Sequence, residues 1–367
     1  MDAGVDSAIL DRLDTYLDVE GLAAVWFARP NGFAWLTGGD NVVDRAADRG
    51  VAAAGYDGDG VTVVTDGVEA GRLADEQLPA EVAVEPFPWH ETTLEGSLAA
   101  GSPRPAAADV PVEGFERVDA SRLRQPLTDA GVERYRRLGE TVASAVEAVC
   151  RDCSADDTER EVAAALRGRL AAEGVDTPVA LVGGERRAGR YRYYTPTEER
   201  LGGYALVSVT ASRAGLCASC TRTVAFDPPD WLIDRHGAAA RVEASALAAT
   251  RRVGRGGGTA GDVFDAIQAA YAGVGHEGEW REHHQGGAAG YAGREWIARP
   301  GGDEPVHLPM AYAWNPTVQG GKSEDTVLVT AEGFETLTAT GEWPTLEVSA
   351  VDSDVTLSRP AVLGVEV

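Results

Sequence analysis

Between His283 and Thr330 the chain crowds together the side chains that could do chemistry. The stretch opens with His283-His284-Gln285-Gly286-Gly287-Ala288-Ala289-Gly290. It continues through Arg294-Glu295-Trp296 and Trp314-Asn315-Pro316 and ends with Gly320-Gly321-Lys322-Ser323-Glu324-Asp325-Thr326. Imidazole titrates near neutrality, which makes His283 and His284 the candidate general acid/base, with Glu324 as a carboxylate that could join them. Neighbouring residues on a strand point to opposite faces, so one of the two histidines is expected in a cleft. Arg294 has the planar fork that suits a carboxylate, and Asn315 offers hydrogen bonds without charge. Lys322 is the only lysine in the chain. Following two glycines, it reads as a point charge on a flexible turn. Together these groups suit a small substrate or ligand bearing a carboxylate or similar anion. Arg222 and Cys220 join Arg294, Asn315 and Lys322 as candidate substrate contacts, and Glu324 is expected to pair with Arg222 on a neighbouring strand.

The four cysteines form two C-x-x-C pairs, Cys150/Cys153 and Cys217/Cys220. The gap between the pairs is too long for a zinc ribbon, and residues three apart on a strand point to opposite faces. Free thiols are expected. Cys220 would be a nucleophile if His283 approached it, and is otherwise packing at the edge of the pocket.

The formal net charge is -25, from 58 acidic against 33 basic residues. That excludes nucleic acid and anionic membrane as expected partners. Surface carboxylate with almost no lysine is the pattern of a protein kept soluble in concentrated salt, where screening tames self-repulsion. The first residues show neither a basic region nor an apolar run, and no segment approaches the roughly 20 apolar residues that span a bilayer. A salt-adapted cytoplasmic protein is expected.

The elements that must position these groups follow from periodicity and caps. A helix is predicted over 7–18, capped by Ser7, and strands over 23–28 and 33–36. A hairpin turning at Asp57-Gly58-Asp59-Gly60 comes next, then a helix over 68–76 and a strand over 82–84. From Gly101 to about Pro126 the composition shifts to Ala, Pro and short polar residues, a domain boundary. Helices are predicted over 129–149 and 158–173, the second introduced by Ser154 and ended by Gly174. Strands over 179–182, 204–210 and 216–226 follow. The order then repeats: helices over 231–252 and 260–272, the latter capped by Thr259 with Asp262, and strands over 311–314 and 325–330. Helix, helix, strands occurring twice suggests two similar halves around a cleft.

Thr221-Arg222-Thr223 at a strand end, a His-x-x-Gly-x-x-x-Gly segment at His283, and Glu324-Asp325-Thr326-Val327-Leu328-Val329-Thr330 occur in a telling order. Over about residues 127–345 the chain resembles the pita-bread superfamily of creatinase, aminopeptidase P (Xaa-Pro aminopeptidase), prolidase and methionine aminopeptidase. Ala34-Trp35-Leu36-Thr37-Gly38 resembles the smaller N-terminal domain of the creatinase and aminopeptidase P branch. The resemblance implies an α+β fold: residues 1–125 as an α/β domain with linker, and 126–367 as a pita-bread domain of two pseudo-symmetric halves. It also implies a homodimer.

The family's peptidases hold two divalent metals with two Asp, one His and two Glu, and use them to activate water. By resemblance those positions are Ser208, Cys220, Gly287, Asn315 and Glu324 here, so one carboxylate remains. No dinuclear metal and no other cofactor is expected. The spacing of His283, Gly286, Gly290 and Arg294-Glu295 resembles metal-free creatinase, which implies substrate contacts from His283 and Arg294. Creatinase's histidine base is not matched at Tyr193 or Tyr194, and its acidic groups are Thr221 and Asn315 here, which argues against creatine. The expectation is a metal-independent hydrolase of this superfamily. It would cleave a C–N bond in a small anionic or peptide-like substrate. An inactive scaffold that binds a small molecule or partner is the second reading.

Overall fold

The computed structural model describes residues 4–365 and divides into two compact units, one through Ala130 (with Ala214–Leu216) and one from Gly131 onward. The first unit begins with α1 (Ser7–Glu20), β1 (Ala24–Phe27), α2 (Pro30–Thr37), β2 (Ala52–Tyr56) and β3 (Val61–Asp66). It continues with α3 (Ala70–Glu76), β4 (Ala83–Phe87), α4 (Leu94–Gly101), β5 (Ala106–Ala108), β6 (Glu116–Arg117) and α5 (Ala120–Leu123). The strands make a mixed sheet in the order β4-β3-β2-β1-β5-β6. The predicted turn at Asp57 joins β2 to β3, with the Asp57 carboxylate accepting from the Asp59 and Gly60 amides.

Three local expectations are corrected in this unit. The cap of α1 is Asp6, whose carboxylate accepts from the Ala8 amide, rather than Ser7. Residues 33–36 are helix, inside α2, with Pro30 at its start and Gly38 left-handed at its end. Phe33, Ala34, Trp35 and Leu36 are all buried, so no polar face marks the helical period. The Ala- and Pro-rich stretch is not bare linker, because Ala106–Ala108 pairs in parallel with β1 and all three side chains are buried.

The second unit begins with α6 (Asp129–Asp152), α7 (Glu159–Ala172), β7 (Asp176–Gly184), α8 (Glu185–Ala188), β8 (Tyr204–Arg213) and β9 (Leu216–Ala225). Then come α9 (Leu232–Gly256), α10 (Ala260–Gly273), β10 (Gly286–Ala289), β11 (Trp296–Ile297) and β12 (Met310–Trp314). The chain ends through β13 (Thr317–Val318), β14 (Gly321–Lys322), β15 (Asp325–Val329), β16 (Phe334–Thr336), β17 (Thr345–Ser349), β18 (Thr356–Pro360) and β19 (Leu363–Gly364). One sheet runs β19-β9-β8-β7 and another β11-β10-β12-β15-β16, each following a pair of helices, as the repeated pattern predicts.

Helix α7 is capped by Thr158 in a reciprocal box with Glu161, not introduced by Ser154, and α10 carries the expected box of Thr259 and Asp262. The β8–β9 turn uses Ala214 at φ 46° and Gly215 at φ 76°, the doubly left-handed geometry that matches strand twist. The two sheets meet where the Thr221 amide donates to the Glu324 carbonyl at 2.9 Å. Beside it Thr326 Oγ1 accepts from the Ser219 amide and donates to the Ser219 carbonyl. No helix among the described residues is long and apolar enough to cross a membrane.

Candidate functional site

That seam between β9 and β15 fixes which side chains meet. Along β9, Ser219 and Thr221 point one way and Cys220 and Arg222 the other. Glu324 and Asp325 split in the same manner at the start of β15. On the first face Glu324 is the hub. Its Oε1 accepts from Arg294 Nη2 at 3.1 Å, and its Oε2 accepts from Lys322 Nζ at 2.9 Å and Thr221 Oγ1 at 2.8 Å. The second face holds Arg222, which donates to Asp325 at 2.9 Å, to Glu147 at 3.3 Å and to the Thr338 carbonyl.

Two expectations therefore change. Glu324 does not pair with Arg222; the acid next to it in sequence does. Lys322 is not on a flexible turn, because it sits in β14 paired with Thr317 and is only 7% exposed. Arg222 and Cys220 drop out of the candidate contacts for the same reason of facing. Cys220 is fully buried, and burial pushes its thiol up to about 12, which leaves it unionised and makes it packing rather than a nucleophile.

A row of hydroxyls backs the hub. Tyr194 OH lies 2.9 Å from Ser208 Oγ, which lies 2.8 Å from Thr221 Oγ1. Because the Glu324 carboxylate can only accept, Thr221 must donate to it. Ser219 was missed from sequence. Its Oγ bonds Thr210 at 2.9 Å and receives Arg294 Nη1 at 3.3 Å. The signal that could have found it is the alternation of Ser219 and Thr221 around Cys220.

Arg294 leaves the turn after β10 and also donates to the Gly293 carbonyl. Glu295 is not its ion partner, since that carboxylate accepts from the Tyr291 amide at 2.8 Å and shapes the turn.

The two histidines precede β10 in a loop rather than lying in a strand, so strand alternation does not separate them. Their ring centroids are 6.3 Å apart. His283 Nδ1 contacts the His284 carbonyl, an acceptor, and therefore carries the proton. Its Nε2 is consequently a bare acceptor, buried and without a partner among the described residues; His284 Nδ1, the acceptor Asn315 Oδ1 and the Arg294 Nε–H donor are likewise buried without one there. Gln285, a second residue that sequence reasoning passed over, holds this loop. Its Nε2 donates to the His283 carbonyl at 2.9 Å, and its Oε1 accepts from Tyr271 of α10 at 2.8 Å.

Electrostatics ties the groups together. Burial and then Lys322 depress the His283 imidazole to about 4, while burial and Arg294 lower His284. Burial opposes charge on Glu324, but Lys322 and Arg294 outweigh it and hold the carboxyl below its usual range. Lys322 is likewise disfavoured by burial and more than restored by Glu324, so its pKa lies above the ordinary lysine value. The triplet of Glu324, Lys322 and Arg294 carries a formal charge of about +1 in a site of low dielectric, where charge is felt strongly.

The five positions matched by resemblance to metal ligands have other surroundings. Ser208 is bonded to Tyr194 and Thr221, Cys220 faces away, and Asn315 is a neutral amide. A Cβ at Gly287 would stand 2.0 Å from the Trp296 carbonyl oxygen, so no side chain fits there. Among the described residues no group of three or more His, Cys, Asp or Glu is arranged to hold a metal ion.

A model of metallopeptidase family M24 matches residues 133–331, more than half of the chain. No curated protein matches in sequence. Among solved structures, dipeptidase PepE from Mycobacterium ulcerans is similar at 20% identity and a TM-score of 0.73, over 100% of both chains. Prolidase from Pyrococcus horikoshii OT3 is similar at 18% identity and 0.72, covering 91% of this chain and 98% of that one. X-Pro aminopeptidase from Thermotoga maritima MSB8 gives 15% and 0.72, with 97% and 99% covered. The fold is the expected α+β pita-bread architecture.

Proposed function

The chain belongs to metallopeptidase family M24, and on that premise we propose that it is a metal-independent hydrolase of a C–N bond in a small anionic substrate. The observation that carries this reading is the ion triplet, in which Lys322 and Arg294 occupy both oxygens of Glu324. Two dications need several oxygen anions to neutralise and fix them. Here one carboxylate remains, already engaged, beside hydroxyls and a glycine that admits no side chain. The donor set does not fit a dinuclear metal, and fixed cations provide the positive charge instead.

The chemistry then falls to this chain's own groups. Lys322 and Arg294 hold the substrate's anion, with Arg294 Nε free of any protein partner among the described residues. Asn315 adds uncharged hydrogen bonds. His283 Nε2, unprotonated at neutral pH, takes a proton from the water that attacks the carbonyl carbon and returns it to the departing nitrogen. His284 lines the same region and is the second candidate for proton transfer. The neighbours named as prolidase, dipeptidase and X-Pro aminopeptidase favour an amide-type bond as the one cleaved.

The test is hydrolysis of a panel of small N-substituted amino acids and dipeptides before and after exhaustive chelation. Activity should survive chelation, and Arg294→Ala and Lys322→Ala should each weaken binding of the anionic substrate. Activity that vanishes with chelation and returns with added divalent metal would overturn the reading, as would unchanged affinity in both variants.

A further inference from the structure

The charge and hydrogen-bonding balance of the cluster says more about its ligand than that it is an anion. The formal charge of about +1 asks for one negative charge from the ligand and no positive one. Glu324, the carboxylate of the triplet, has both oxygens engaged by Lys322, Arg294 and Thr221. Arg192, the next cation that His283 feels, is itself paired with Glu279 at 3.0 Å. An ammonium group brought here would meet cations and find no uncommitted carboxylate. What the site leaves open are neutral acceptors, His283 Nε2 and Asn315 Oδ1, the latter on a residue 7% exposed. The tautomer of His283 is set by the His284 carbonyl at Nδ1, so Nε2 can accept and cannot donate. A buried acceptor left without a donor is destabilising, so the bound substrate and its water must bring an N–H or O–H to it.

We propose that the substrate class is the N-acyl amino acid, with its carboxylate on Lys322 and Arg294, its neutral amide N–H turned to Asn315 Oδ1, and His283 Nε2 left to the attacking water. This rests on reading the triplet as the substrate site. A dipeptide with a free amino terminus carries the ammonium that the cluster disfavours. An acylated proline has no N–H to give. In the reaction the water oxygen bonds to the acyl carbon and the amide C–N bond breaks. One water proton goes to the amine nitrogen by way of His283 and the second leaves the new carboxyl group for the same nitrogen, which departs as an ammonium, so the products are a carboxylate and a free amino acid.

Four small probes separate the contributions: N-acetylglycine, N-acetylsarcosine, which replaces the N–H by N–CH3, glycylglycine, which carries an ammonium, and N-acetylglycinamide, which lacks the carboxylate. Binding by ligand-observed NMR, and release of amino acid, are followed on the full chain in concentrated salt. N-acetylglycine should bind roughly tenfold or more tightly than each of the others, consistent with one unpaired buried group. Glycylglycine or N-acetylsarcosine binding as well as N-acetylglycine, with binding weakened about tenfold in Lys322→Met, would overturn the N-acyl class and leave the anion site standing. N-acetylglycinamide binding equally well, unaffected by Lys322→Met, would overturn both.

Discussion

The two faces of β9 are both buried and both charged, yet they are built for different ends. Behind the strand, Arg222 and Arg359 meet Glu147, Asp325 and Glu243, and Arg151 closes the outer side of Glu147. Three acids face three guanidinium groups, and Thr338 and Thr340 add further hydrogen bonds. On the front face two cations share one acid, and acceptor atoms on His283 and Asn315 have no partner among the described residues. A balanced buried network fixes structure. An unbalanced one stores an electrostatic demand that a ligand can satisfy.

Breaking the rear network should therefore cost the fold, and by the largest margin. Arg222→Met strands Asp325 and Glu147 without their main cation, and denaturant unfolding should report a loss of about 3–5 kcal/mol. Lys322→Met on the front leaves a neutral Glu324–Arg294 pair, so its stability loss should be clearly smaller in the same assay. Comparable losses would erase the distinction between the faces.

Next in size, His283→Gln should lower turnover by about a hundredfold or more while anion binding is retained. Steady-state kinetics with a binding isotherm separates the two. Lys322→Met should do the reverse at the level of affinity, weakening an anionic ligand by about tenfold, or about 1.4 kcal/mol.

The pH dependence sharpens the same contrast. With its pKa near 4, His283 stays neutral well below the usual imidazole range, so kcat/KM should hold as pH falls past 6.5 and decline only toward about 4. The sign for stability agrees. A depressed histidine contributes stability that is fully present above its unfolded value and lost as pH falls through its folded one. His283→Gln should accordingly flatten the unfolding free energy between about pH 6.5 and 4. Smallest of all, Cys220→Ala should leave turnover unchanged, since the thiol lies on the rear face. A large loss would return Cys220 to the site.

Much of the scaffold was legible because short-range chemistry specifies it. Thr259 with Asp262 announces α10, and Asp57-Gly58-Asp59-Gly60 announces the β2–β3 turn. Residues 33–36 were misread because a helix buried on all sides shows no period. The all-alanine β5 was missed because small residues in a sheet interior have the composition of a linker. In the site, residue types were legible but facing was not. Glu324 and Asp325 are adjacent, and only the register of β15 against β12 and its seam with β9 assigns one to Lys322 and the other to Arg222. Ser219 was hidden for the same reason, as the strand's alternation decides between it and Cys220. Gln285 stood in plain view beside the histidines, but its grip on their loop through Tyr271 joins elements that no local pattern connects.

The most direct test of the central claim is metal stoichiometry by elemental analysis, on protein equilibrated with Mn2+, Co2+ or Zn2+ and then freed of unbound ion. If Lys322 and Arg294 hold the charge of the front face, no stoichiometric metal should be retained and activity should not depend on any. Two ions per chain, bound in competition with the anionic substrate and required for turnover, would contradict it.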